Sequence, residues 1–364
     1  MDVNRRGVLG VVGTMVMTST GLVSGCLDTV GLDDSDSPAY ERWLQTDHDG
    51  IEFRYVDWES VRSLEDVDTD FEAAMANANV NDSRLMEASS LVFEWSLGGL
   101  YSLASGTSMG LVGTGLEGVV YTAGGEEDGT IEYGDDFMSV EVEIRSFEST
   151  VDELLMVDHA MIITGEIDVS EVGERITEGP NNAFGVKFEY ERTDDIGDYE
   201  CYEVVENDHP LTSPHELLAV SEEAIIGSRF ISADTRDAVR EPIDTIVESD
   251  GTAIDGELES LLETAGHGDI VVGGYDHTES QTTESTDNQY GEGRVEEETG
   301  FVTSLELEDS AVTNGAFAAT FGDLDDETEA TLESELDTPD GNVDIDIDDG
   351  RATASVVWDE PVLE

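Results

Sequence analysis

A chain with one lysine, Lys187, and 87 acidic residues against 15 basic ones can fold only where its whole surface is allowed to be acidic. The formal charge of −72 is spread from Asp28 to Glu364 and interleaved with apolar residues rather than gathered in a block. A block of like charge would point to a nucleic-acid mimic or a cation store. A uniform coat points to molar salt, where the Debye length falls to about 3 Å and hydrated carboxylates keep the surface soluble. The same charge excludes nucleic acid as a partner. At 364 residues the chain has room for one large or two medium domains.

The N-terminal stretch MDVNRRGVLGVVGTMVMTSTGLVSGC, positions 1–26, stands apart from that coat. Arg5-Arg6, an uncharged run from Gly7 to Gly25, and small residues directly before Cys26 have the order of an export signal. The twin arginine indicates the route taken by proteins that cross already folded. Val23-Ser24-Gly25-Cys26 is similar to the lipobox of exported lipoproteins, which implies that the Cys26 thiol receives a lipid and becomes the new N-terminus. An uncleaved membrane-spanning helix is the alternative, and it too leaves the body outside the cytoplasm. The expectation is a protein on the extracytoplasmic face of the cell membrane, with the membrane as its partner through Cys26. Cys201 then has no disulfide partner and reads as a small buried apolar residue in a strand.

Residues 27–37 form an acidic tether, 38–158 an N-terminal α+β region, and 159–364 a second α+β region with a mobile polar loop over 276–298. Ser37-Pro38 opens a helix through Tyr40, Trp43 and Leu44. Ile51, Phe53 and Tyr55 alternate with Glu52 and Arg54 as a half-buried strand, after which Asp57 caps a helix burying Val61 and Leu64. Val140, Val142 and Ile144 alternate as another strand. Phe147, Val151, Leu154 and Leu155 lie at i, i+4, i+7 and i+8, the spacing of one helix face. A hairpin over 217–220 and 224–230, a helix through Leu258, Leu261 and Leu262, and a strand over 269–272 follow.

An internal repeat organises the second region. Gly165-Glu166-Ile167-Asp168 recurs as Gly322-Asp323-Leu324-Asp325, each at the end of an apolar strand. Asp168 and Asp325 stand where helix N-caps belong, and Asp168 with Glu171 makes an aspartate version of the capping box. A strand and a return strand follow each helix. The predicted fold class is α+β: antiparallel sheets with helices, containing two related β-α-β-β (ferredoxin-like) modules over about 160–206 and 316–358.

Chemistry-bearing patterns are weak. Gly106-Thr107-Ser108-Met109-Gly110 matches the nucleophile elbow, and Gly113-Thr114-Gly115-Leu116-Glu117-Gly118 the dinucleotide fingerprint. Both draw on the glycine-dense, uncharged stretch between Glu94 and Glu117, and neither has its strand–helix context. The stretch reads as buried helix and loop, with Ser108 packed; an exported serine hydrolase using Ser108 is the alternative. Asp344, Asp346 and Asp348 suggest a calcium loop, yet the glycine comes one place late and the twelfth position is Ser355. The histidines at 48, 159, 209, 215, 267 and 277 show no metal-ligand spacing. Asn81-Asp82-Ser83 is a glycosylation sequon. The residues singled out are therefore Cys26 for lipid and Asn81 for a glycan, with no catalytic, cofactor-binding or metal residue assigned.

The signal, the Val-Ser-Gly-Cys box, the acidic coat, the Trp43-Leu44 helix and the paired G-[ED]-[IL]-D units together resemble a group of haloarchaeal exported lipoproteins of uncharacterised function. The resemblance implies a membrane-anchored envelope protein with a binding or structural role and an unknown protein or ligand partner. Its motifs are strand ends, caps and core positions, so no catalytic residue is carried across.

Overall fold

Several strands of this protein are apolar on consecutive positions rather than alternate ones. Leu154–Val157, Ala160–Thr164, Leu217–Val220 and the start of Ile270–Tyr275 are buried without a break. Such runs need cover on both faces of their sheet. In the computed structural model they receive it. The structure describes residues 39–44, 50–60, 116, 129–133, 140–144, 147–157, 160–178, 188–207, 217–228, 256–275, 298–308, 311–322, 324, 326–336, 341–348 and 350–358. The chain divides into Met1–Ser37, outside those residues, and Pro38–Glu364.

A short 3-10 helix, Ala39–Trp43, precedes β1 (Ile51–Asp57). β2 (Gly129–Tyr133) and β3 (Val140–Ile144) pair as a separate two-stranded sheet. Then come β4 (Glu153–Val157), β5 (Ala160–Thr164), α1 (Val169–Glu178), β6 (Phe188–Arg192), β7 (Glu200–Asn207), β8 (Leu217–Val220) and β9 (Ala224–Ser228). α2 (Gly256–Ala265), β10 (Ile270–Tyr275), β11 (Glu298–Glu308), β12 (Ala311–Phe321), α3 (Asp326–Leu336), β13 (Gly341–Asp348) and β14 (Arg351–Trp358) complete the described chain. Twelve strands form one antiparallel sheet in the order β13-β14-β12-β11-β10-β1-β4-β5-β9-β8-β7-β6. It takes strands from both sides of residue 158, since β4 pairs with β5 and β1 with β10.

Each face of the sheet has its own core. On one, Val172 and Ile176 of α1 and Leu332 and Leu336 of α3 pack with Leu116, Phe147, Leu154, Met156 and Trp358. On the other, Tyr40, Trp43 and Leu44 and the α2 residues Leu258, Leu261, Leu262 and Ala265 cover Phe53, Tyr55, Leu155, Ile162 and Ala318. Cys201 is fully buried in this second core. Among the described residues no helix is long and apolar enough to cross a membrane.

The ferredoxin-like α+β class with two β-α-β-β modules is overturned: the body is mostly one large antiparallel sheet. The element order strand–helix–strand–strand does recur, as β5-α1-β6-β7 and β12-α3-β13-β14. The pairing does not. β14 bonds directly to β12, whereas β9 and β8 stand between β5 and β7. Equal spacing along the chain constrained the order of elements but not which strand each hairpin reached.

The cap itself is present. Asp168 Oδ1 accepts the N–H groups of Ser170 (3.0 Å) and Glu171 (3.1 Å), and these bonds, with one from the Ser170 hydroxyl, lower the Asp168 pKa; the hydroxyl bond contributes most. The reciprocal half of the box is absent, because Ser149 Oγ accepts the Asp168 N–H at 3.0 Å. Glu171 instead accepts from the Glu148 and Ser149 backbone and the Ser149 hydroxyl, tying α1 to the segment before β4. Asp325 lies outside the described residues.

The helix expected through Phe147, Val151, Leu154 and Leu155 is a second correction. All four are buried, but Glu153–Val157 is a strand between β1 and β5. Leu154 and Met156 face one core and Leu155 and Val157 the other, so a run apolar on both strand faces imitated a helical stripe.

Candidate functional site

The apolar floor of the second core ends along one row of side chains. On β1, Ile51, Phe53 and Tyr55 belong to that core and Asp57 continues the same face. Glu153 stands opposite Asp57 on β4, and Thr164 opposite Glu153 on β5. On the other side the Asp57 N–H donates to the Asp269 carbonyl at 2.7 Å, and Glu306 and Asn314 continue the row on β11 and β12. Four carboxylates thus cross the middle of the sheet between a threonine and an asparagine. A cavity of about 460 Å³ opens over Asp57, Asp269, Glu306 and Asn314, with Tyr40, Tyr55, His267 and Gly268 in its walls.

Local geometry places each wall. α2 ends where the Gly266 N–H donates to the Leu262 carbonyl at 2.8 Å, with Gly266 at φ 80°, a left-handed cap that suits glycine. The chain then lies so close to β11 that a Cβ on Gly268 would collide with the Leu305 carbonyl oxygen. That approach delivers His267 to the 3-10 helix, with Nδ1 3.2 Å from the Tyr40 hydroxyl and Nε2 3.7 Å from Glu41. The Tyr40 ring packs on Tyr55, centroids 4.1 Å apart.

The carboxylates differ in how far the protein satisfies them. Glu153 accepts from the Tyr55 hydroxyl (3.3 Å) and the Thr164 hydroxyl (2.9 Å), one on each oxygen. Asp57 Oδ1 accepts the Ser60 N–H at 3.0 Å, Asp269 Oδ2 the Leu307 N–H at 2.6 Å, and Glu306 Oε2 the Asn314 amide at 3.0 Å. These bonds engage one oxygen of each of the three and leave its twin available among the described residues. Burial, then the charges of Glu41 and Glu153, push the Tyr40 hydroxyl pKa far above its usual value. Burial, then Glu153 and Asp57, do the same for Tyr55. Both hydroxyls are neutral donors rather than bases at any ordinary pH.

That gives an alkaline prediction. A pKa raised in the folded state stabilises the fold fully below the unfolded value, 10.0 for these tyrosines, and the contribution is lost as pH rises through and beyond it. Stability should therefore fall above pH 10 by about 1.4 kcal/mol per pH unit for each tyrosine. Denaturant melts of wild type, Tyr40→Phe and Tyr55→Phe across that range check it; equal alkaline slopes in all three would refute it.

A larger groove of about 1050 Å³ runs beside α1, lined by Glu148, Glu166, Asp168, Glu174, Arg192 and Tyr202 among others. Its arginine and its tyrosine are tied to carboxylates of the protein itself. Arg192 pairs with Asp195 (3.1 Å) and Glu200 (2.9 Å), and the Tyr202 hydroxyl donates to Glu200 at 2.8 Å. Burial, with that bond, pushes the Tyr202 pKa to about 12. Gly173 makes room for the Tyr202 hydroxyl, into which a Cβ there would run. The smaller cavity, whose carboxylates stand in one row across neighbouring strands beside Tyr40, Tyr55 and His267, is the better candidate.

Cys26, Asn81 and Ser108 all lie outside the described residues, as do the histidines other than His267. Sequence reading passed over His267, Asp269 and Glu306 because the register that unites them joins strands remote in the chain. The available signal was Gly266-His267-Gly268-Asp269, a histidine between glycines at a helix-to-strand junction. Asp344, Asp346 and Asp348 lie along β13, and among the described residues no group of three or more His, Cys, Asp or Glu is placed to hold a metal ion. No protein-family model, curated protein or solved structure matches the chain.

Proposed function

We propose that this is an exported, lipid-anchored protein of a high-salt environment, with a non-catalytic binding role on the outer face of the cell membrane. The observation that carries the binding role is the half-satisfied carboxylate row beneath a tyrosine- and histidine-walled cavity. Its tyrosine hydroxyls are held neutral, and the Asp57, Asp269 and Glu306 carboxylates each commit one oxygen to the fold and keep the other for a ligand. The anchor reading is supported by the uncharged run that ends in Val23-Ser24-Gly25-Cys26. The acidic coat supports the high-salt setting.

Fractionation of cells expressing Cys26→Ser tests the anchor. The variant is expected in the medium, or retained as an unprocessed precursor, while wild type sediments with membranes. A variant that is processed and anchored like wild type would remove the lipid from the proposal.

A further inference from the structure

We propose that Asn314-Gly315 is a modification site, an asparagine poised for spontaneous deamidation that the sheet holds closed while β12 stays paired. The inference is independent of what the cavity binds and of the anchor. An asparagine followed by glycine is the pair most open to this chemistry. Glycine has no side chain to hinder its own backbone nitrogen, and it leaves the chain free to bend toward the carboxamide. Asn-Gly occurs once in the 364 residues, at 314–315. Such a pair ordinarily marks a tight hairpin turn. Here it lies inside β12, with β11 on one side and β14 on the other.

The reaction balances on solvent water alone. The Gly315 backbone nitrogen attacks the side-chain carbonyl carbon of Asn314. A C–N bond forms, and the side-chain nitrogen leaves as ammonia with the proton that the Gly315 amide gives up. Water then opens the resulting succinimide at one of its two carbonyls, leaving an aspartate or its isoaspartyl isomer. Both reacting groups are occupied in the folded chain. Gly315 is paired with Leu305 and with Val356, so its N–H lies in a ladder whichever neighbour it faces. The Asn314 amide nitrogen donates to Glu306 Oε2 at 3.0 Å. Packing also holds the glycine in place, because an added Cβ would stand 3.0 Å from Leu305 Cδ2, Trp358 Cη2 and Val356 Cγ1.

The ladder sets where this closure gives way. Glu306 pairs with Asn314 but Leu307 pairs with Val312, which leaves Thr313 as an extra residue directly before the asparagine. A bulge interrupts the ladder, and a strand end opens locally at far lower cost than the whole fold. Re-pairing does not reverse the conversion. Asn314 and Glu306 are register partners, so an amide donor becomes a carboxylate facing a carboxylate. Molar salt screens that repulsion and dilute salt exposes it.

Peptide mass spectrometry of the full-length chain tests the site. The protein is held in water enriched in heavy oxygen at mildly alkaline pH and digested in acid, so that no conversion follows sampling. In guanidinium chloride the peptide holding Asn314 is expected to take up solvent oxygen as it deamidates. In detergent and molar KCl, where the chain is folded, uptake should be slower by about tenfold or more. Asn314→Ser, which has no carboxamide, should take up none at that position. Asn314→Asp should lower the melting midpoint increasingly as KCl is reduced, and adding Glu306→Gln should restore it. Absence of label in the unfolded chain would overturn the proposal, as would equal rates folded and unfolded, or label persisting in Asn314→Ser. An Asn314→Asp midpoint equal to wild type at every salt would overturn the one-way consequence. None of these outcomes bears on the cavity or on Cys26, which keep their own tests.

Discussion

Dialysis from molar KCl into dilute buffer is expected to unfold the protein. With 15 basic residues against 87 acidic ones, most carboxylates have no basic side chain to pair with. Positions 1–25 hold two arginines and one aspartate, so their removal takes the formal charge from −72 to −73 and relieves nothing. The repulsion is built into the sheet as well as its surface. Glu153, Asp57, Asp269 and Glu306 occupy neighbouring strands in one row, and like charges directly across a strand pair are destabilising. Screening decides the outcome. At 1 M salt the Debye length of about 3 Å is shorter than the strand spacing of about 4.8 Å; at 0.01 M it is about 30 Å and spans roughly six strands. Melting followed by circular dichroism across a KCl series should show a midpoint that climbs steeply with salt. A midpoint unchanged from dilute buffer to molar KCl would defeat the halophilic reading.

Phe53→Ala is the single substitution expected to cost most, about 3–5 kcal/mol for removing a buried phenylalanine. Phe53 is wholly buried at the centre of the sheet, with the Tyr40 ring centroid 6.3 Å away. Its ring covers Gly273, its register partner on β10, where an added Cβ would collide with Phe53 Cε1. The pair is a large residue filling the space of a missing one. Gly273→Ala alone should therefore destabilise, and much less so when Phe53 is already alanine. A double-mutant cycle in denaturant would measure that coupling. Additive losses would mean the ring and the glycine do not share the space.

The sequence by itself determined local structure. Period-two alternation marked β1, and Leu258, Leu261 and Leu262 marked the buried stripe of α2. Asp168 was readable as a cap because N-capping depends only on bonds to groups one turn away or nearer. Charge and the order of the N-terminal segment define setting and anchor as expectations on the same local grounds. Tertiary structure alone decided the rest. Runs such as Leu154–Val157 are apolar at every position because both faces of the sheet are covered, and there periodicity has nothing to distinguish. Whether a hairpin bonds to its own preceding strand, as β14 does to β12, or to an interposed pair, as β7 does, is a choice among non-local edges. The cavity shares that origin. Tyr40, Asp57, His267 and Glu306 meet only because β1 pairs with β10 and β10 with β11, and the first of these pairings joins Ile51 to Tyr275, far apart in the sequence. Backbone hydrogen bonds are alike for every strand, so register is set by how side chains pack once the whole sheet is assembled.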